Sequence, residues 1–233
     1  MTIIAKLGLM SNGGSGYLSI PPRALPTCYT IPMKLTFPTR GIEVKRAFVV
    51  SQYIRCKGNK KKRYVPLFSK KDFAEKLKNA KAYARKLSNA QLDRVIAKEW
   101  PPRRDAYNKV KWHIGVVNSD EVAVWKRAGN LPAAWTNGPL SETARKVSIA
   151  MKRNSKLLRG GAKRSVPRIL QTSLDATQND KYLLPIILPA STIPNCRRGM
   201  KKFKGDIDDG CMRSIALAIS GKKKIKAYIG TKR

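Results

Sequence analysis

A chain of 233 residues with 49 Lys and Arg against 14 Asp and Glu has a formal charge of +35, and repulsion on that scale persists in a folded protein when a polyanion neutralises it. Its 42% apolar content excludes a purely disordered basic tail. No window holds the roughly 18 uncharged apolar residues of a membrane span, and no basic helix with a Trp, Phe and Leu face points to a membrane surface.

Residues 1–39 are rich in Pro and Gly and read as an extended arm, because Pro removes donors and blocks helix. Met1 to Met10 is a short apolar stretch broken by Gly8, with no small-residue cleavage site after it, so no signal peptide is expected. Val44 to Arg55 is dense in β-formers and predicts a strand. Lys57-Gly58-Asn59-Lys60 then suits a tight hairpin turn, and Arg63 to Phe68 a return strand at an edge, since Pro66 cannot donate to a ladder. Ser69 and Asp72 have capping-box spacing before a helix whose stripe is Phe73, Leu77, Ala80, Ala84 and Leu87. Ser88 and Gln91 offer a second cap, for a helix with Leu92, Val95 and Ile96 that Pro101-Pro102 stops.

Lys111 to Val117 reads as a strand and Gly129 to Pro139 as a Trp-containing loop. Ser141 to Leu158 admits two readings. It is a helix capped by Ser141 and ended by Gly160-Gly161, or a strand on the alternation of Val147, Ile149 and Met151. Leu183 to Leu188, interrupted by Pro185, is a buried extended segment or nothing regular. The end echoes the beginning: Thr30-Ile31-Pro32 with Arg40-Gly41 has a counterpart in Thr192-Ile193-Pro194 with Arg198-Gly199. In the second copy Met212 to Ile219 is the β-rich run, Ser220-Gly221 the turn and Lys224 to Ile229 the return strand.

Phe203-Lys204-Gly205, then Ser214-Ile215-Ala216-Leu217-Ala218-Ile219, a Gly-Lys turn and Ala227-Tyr228-Ile229-Gly230-Thr231 resemble the ethylene-response-factor type of DNA-binding domain. That module also occurs in phage and bacterial homing endonucleases and integrases, which makes a phage-encoded chain the expectation. The resemblance implies a three-stranded antiparallel sheet packed on one helix, with the sheet in the major groove. Lys45 to Phe68 plus the helix from Lys70 to Leu87 follows the family's order of elements. The expected fold is therefore α+β, with small three-stranded antiparallel sheets each packed on a helix and extended basic arms. Its divisions are an arm over 1–39, a sheet-plus-helix module over 40–100, an irregular basic region over 101–190, and a second hairpin module over 191–233 without a following helix.

Alternation assigns the faces of these ribbons. Phe48, Val50 and Ile54 would meet the helix, leaving Tyr53 and Arg55 outward. Tyr64 and Phe68 fit inward on the return strand, leaving Arg63 and Val65 outward. In the second copy Ile225, Ala227 and Ile229 point in, and Lys224, Lys226 and Tyr228 point out. The expected nucleic-acid contacts are Arg46, Tyr53, Arg55, Lys57, Lys60, Lys61, Lys62 and Arg63 in the first module. In the second they are Lys222, Lys224, Lys226 and Tyr228. Lys152, Arg153, Arg159, Lys163 and Arg164 join them from Arg145 to Arg168, a stretch without a single acid. Most would touch phosphates, while Arg55 and Arg63 are best suited to guanine edges.

Catalysis is not expected. His113 is the only histidine, which leaves no His-Asn-His nuclease centre. Asp206, Asp208 and Asp209 could suggest a Mg²⁺ site, but beside Gly210 they read as a polar turn, as does Asp120-Glu121. Gly13-Gly14-Ser15-Gly16 lacks the Lys of a phosphate-binding loop. Cys28, Cys56, Cys196 and Cys211 form no close pair, so no metal, no cofactor and reduced thiols are expected. These readings converge on a non-catalytic nucleic-acid-binding protein of the host or cell interior, cytoplasm or nucleoid, with double-stranded DNA favoured over RNA. The rivals are a structural RNA-binding component of a ribonucleoprotein, or an inhibitor or assembly protein filling a nucleic-acid channel.

Overall fold

The computed structural model describes residues 34–54, 70–153, 155–158, 160–189, 192 and 204–232. Among them six strands make one sheet. They are β1 (Lys34–Thr39), β2 (Val110–Asn118), β3 (Val122–Val124), β4 (Ile186–Pro189), β5 (Gly205–Asp209) and β6 (Lys224–Lys232), in the spatial order β1-β2-β6-β4-β5-β3. β2 pairs antiparallel with β1 and β6, and β4 antiparallel with β5, while β4–β6 and β3–β5 are parallel. The α+β class holds, but a single mixed sheet replaces the small antiparallel ones. Boundaries expected at 100 and 190 fall inside one compact unit, whose sheet takes strands from both sides of each.

Two helical layers cover the sheet. One holds α1 (Gly41–Ile54), α2 (Lys70–Lys86), α3 (Asn89–Glu99) and α4 (Pro101–Lys109), closed by a 3₁₀ turn at Lys181–Leu183. The other holds α5 (Leu140–Arg153), α6 (Gly160–Thr172) and α8 (Cys211–Ile219). The short α7 (Ala176–Asn179) lies between α6 and the 3₁₀ turn in sequence. Strand alternation divides the core between them. Ile225, Ala227 and Ile229 of β6 enter the α5–α6–α8 side, and Tyr228 enters the α1–α4 side. Central β4 is apolar on both faces, with Ile186, Ile187 and Leu188 at most 1% exposed, as a strand covered twice must be.

Both β-rich runs are helices. Val44, Ala47, Phe48 and Ser51 are each at most 1% exposed at three- and four-residue steps, so packing in α1 overrides the β-propensity of Val and Phe. Met212 to Ile219 belongs to α8, where Cys211, Ser214, Ile215 and Ala218 lie three or four residues apart. The turn at Ser220-Gly221 exists, with Gly221 at φ 87°, but it joins a helix to a strand. Arg63 to Phe68 and the Gly58-Asn59 turn lie outside the described residues. The last six residues of the expected arm, Lys34–Thr39, are an edge strand.

Other expectations stand. α2 carries its stripe inward through Phe73, Leu77, Ala80 and Ala84. α3 opens on the Ser88–Gln91 capping box, with both reciprocal bonds made. Pro101-Pro102 ends α3 and also starts α4, where missing N–H groups cost nothing. Lys111 to Val117 is within β2, and the open reading of Ser141 to Leu158 resolves to helix as far as Arg153, in α5, with a 3₁₀ turn at Ser155–Leu157. Gly160-Gly161 begins the next helix, α6, rather than closing that one.

Candidate nucleic-acid interface

The acid-free stretch from Arg145 to Arg168 folds into amphipathic helices. α5 buries Leu140, Thr143, Ala144, Val147 and Ala150, and α6 buries Ala162, Val166 and Ile169. Arg145, Lys152 and Arg153 on α5 and Lys163 and Arg164 on α6 are left exposed. Both helices pack on α8, so these cations form the outer surface of one layer. The Lys222–Lys224 turn is linked to the start of α5 through Ser119. The Ser119 amide donates to the Lys223 carbonyl at 2.9 Å, and the Ser141 amide at the start of α5 donates to the Ser119 carbonyl at 3.2 Å. Lys222, Lys224 and Lys226 are all exposed, as expected.

Two expected contacts turn inward. Tyr228 is 1% exposed, because β6 lies inside the sheet and α1–α4 cover that face. Its hydroxyl is pushed above the ordinary tyrosine range, chiefly by burial. Arg46 points along its own helix and donates to Glu43 Oε1 at 2.8 Å. Tyr53 is 48% exposed and lies against Tyr83, with ring centroids 5.4 Å apart. Arg55, Lys57, Lys60, Lys61, Lys62, Arg63 and Arg159 lie outside the described residues. The structure thus places the α5 and α6 cations on one layer, whereas Lys224 and Lys226 share the sheet face of Tyr228 on the α1–α4 side, and no two-stranded ribbon that could enter a groove is formed among the described residues.

Asp206, Asp208 and Asp209 are not a polar turn but β5 itself, each less than 10% exposed. Arg103 Nε donates to both oxygens of Asp208 at 3.0 and 2.8 Å, and Tyr107 Oη donates to Oδ2 at 2.7 Å. Burial raises the Asp208 carboxyl above its usual range, while Arg103 and Tyr107 pull it down. Two donors this close are those of an ionised carboxylate held in a dry pocket. The Arg103 guanidinium also lies 5.0 Å from the centre of the Phe48 ring. Next to it, Arg213 bridges Asp209 at 2.8 Å and Ser51 at 3.0 Å. Gly210, at φ 88°, makes the corner into α8, and a Cβ there would lie 3.1 Å from Pro185 Cα.

This network ties β5 to α1, α4 and α8, and the Asp208 and Asp209 carboxylates are taken up by arginines. Among the described residues no group of three or more His, Cys, Asp and Glu is arranged to hold a metal. The signal missed in the sequence was the basic residue one turn into the next helix, Arg213, four positions after Asp209. Cys211 is buried and donates to the Ile207 carbonyl, with 3.1 Å between sulfur and oxygen, which marks a structural thiol.

A cleft of about 470 Å³ lies where β1 runs into α1, walled by Thr39, Lys45, Asn89, Asn108, Lys111 and Trp112. Lys45 is only 3% exposed, and its ammonium is taken by Asn89 at 2.9 Å and Asp93 at 2.8 Å. That cation is therefore neutralised inside the protein, leaving Lys111 as the lining charge turned to solvent. The cleft is a weaker anion site than the surface of α5 and α6.

A three-layer arrangement of one mixed sheet between helices is what the fold defines. Comparisons with protein-family models, with curated proteins and with solved structures find no match. Among the described residues no helix is long and apolar enough to cross a membrane.

Proposed function

We propose that this protein is a non-catalytic intracellular nucleic-acid-binding protein that docks on double-stranded DNA through phosphate contacts. The observation that carries this is the outward face of α5 and α6, where Arg145, Lys152, Arg153, Lys163 and Arg164 stand exposed on a stretch that has no acid. Apolar positions in the same two helices are spent on the core, so the cations are not compensating for a poor fold. Cations placed this way displace condensed counterions from a phosphate backbone, and affinity follows from that release.

The binding mode differs from a hairpin in the major groove, since the two runs assigned to ribbons are α1 and α8. Contacts from the outer surfaces of α5 and α6 would position the chain on a backbone without reading bases. With about eight phosphates engaged, the logarithm of affinity falls against the logarithm of salt with a slope near −7. A titration of the purified chain with duplex DNA over a range of salt measures it, and a slope shallower than about −2 rejects the reading. Competition by structured RNA that displaces the duplex at lower concentration would move the assignment to a ribonucleoprotein component.

A further inference from the structure

We propose that four exposed side chains on one face of the sheet, Phe37, Lys34, Lys224 and Lys226, bind a short unpaired stretch of nucleic acid. One base stacks on Phe37 and the adjoining phosphates meet the lysines. The proposal rests on the nucleic-acid reading above and names the form of strand that this second surface takes.

Register puts these side chains on one face. Asn118 pairs with Lys224 in one row, Lys34 with Val116 and Val116 with Lys226 in the next, and Phe37 with Ile114 and Ile114 with Tyr228 in the third. Ile114 and Tyr228 belong to the core beneath α1–α4, which fixes the whole set on that side of the sheet. Along β6 the described helical layer ends between the second and third rows. Tyr228 is 1% exposed, whereas Lys224 and Lys226, four and two residues earlier on the same face, are exposed. The Lys226 amide donates to Gln178 Oε1 at 3.4 Å, so α7 continues the strand's hydrogen bonding beyond the end of β4.

Phe37 is 63% exposed on edge strand β1. A single exposed aromatic is ordinary. The neighbouring row carries two cations, Lys34 beside it on its own strand and Lys226 two strands away. Neighbouring strands lie about 4.8 Å apart and same-face rows about 7 Å apart, so the lysines stand roughly 10 Å from each other across Val116. No side chain in these three rows is acidic.

An exposed aromatic ring next to a row that carries two exposed cations is a stacking platform. Stacking needs a free base face, which a continuous duplex hides between neighbouring pairs, and this selects an unpaired strand. Charge complementarity favours an anionic partner for this face.

The test uses the full chain and two labelled probes, one blunt duplex and the same duplex with an eight-nucleotide thymidine overhang, followed by fluorescence anisotropy. The wild type binds the overhang probe about tenfold or more tightly than the blunt one, as one stacked base requires. Phe37→Ala loses that preference and keeps blunt-duplex affinity and the melting temperature, while Phe37→Trp retains the preference and shows quenching of the new indole. Equal affinity of the wild type for both probes, or a preserved preference in Phe37→Ala, overturns the platform alone. A dimer that dissociates on Phe37→Ala assigns the face to a second copy and also overturns it. No binding of either probe overturns the nucleic-acid reading together with the platform.

Discussion

Arg103 closes on both carboxylate oxygens of Asp208, a residue 105 positions further along the chain, and the Asp208 side chain has no exposed surface. The pair joins α4 to β5 across a stretch that contains most of the fold. Removing one partner strands the other charge in the core, which costs about 3–5 kcal/mol. Arg103→Met and Asp208→Asn each lower chemical-denaturation stability by about that amount. Arg103→Met combined with Asp208→Leu costs less than the sum of the separate changes, because no uncompensated charge remains. Denaturant titration of these variants beside the wild type and Asp208→Leu alone checks this.

Gly115 tests the attachment of β1. A Cβ there would lie 2.6 Å from the Lys34 carbonyl oxygen and 2.7 Å from Ile229 Cδ1. Gly115→Ala therefore pushes β1 off β2 or displaces Ile229 in the core. Amide hydrogen exchange in Leu35 to Thr39 accelerates, and stability falls by roughly 1–3 kcal/mol. Unchanged exchange would mean that β1 tolerates the added methyl.

Glu43 gives the acid limb of stability. Burial raises its carboxyl, but hydrogen bonds and charge from Lys181 and Arg46 outweigh that and leave it below 4.5. A carboxyl lowered on folding contributes stability above its unfolded value that is lost as pH falls through its folded value. Below about pH 4.5 the wild type loses stability more steeply than Glu43→Gln, while near neutrality Glu43→Gln is the less stable of the two. Parallel pH–stability curves would show that these interactions contribute nothing.

The outer surface of α5 and α6 is probed by neutral replacements. Changing Arg145, Lys152, Arg153 and Lys163 together to Gln flattens the salt slope by about 0.9 for each phosphate no longer neutralised. Exchanging Lys86 and Arg94, exposed on the opposite layer, for Gln leaves the slope unchanged. Equal effects from the two sets would show that net charge, not this surface, drives binding.

The helices from Lys70 to Glu99 are legible in the sequence because caps and apolar stripes are local. Ser88 and Gln91 satisfy each other's backbone within one turn, and Phe73 to Ala84 repeats at helical steps whatever lies beneath. The run from Val44 to Ile54 misleads for the opposite reason. Its Val and Phe favour strands, but α1 is covered by sheet, α2 and α3, and burial on nearly every side erases the polar face that would have shown the helical period. The interface is half legible. Lys224 and Lys226 alternate outward as the sequence implies, and Tyr228 shares their face, yet the layer above ends between Lys226 and Tyr228.

Asp206, Asp208 and Asp209 could not be placed from their neighbours, because Asp208 and Asp209 meet Arg103, Tyr107 and Gln52, which come from α4 and α1. Taken alone, the order of residues settled the charge excess, the capped helices and the alternation along β6, since each depends on groups only a few positions apart. Tertiary structure alone decided which acids are neutralised, which tyrosine is hidden and which lysines meet solvent. Those outcomes depend on what a distant segment lays over a side chain, and desolvation is set by that cover.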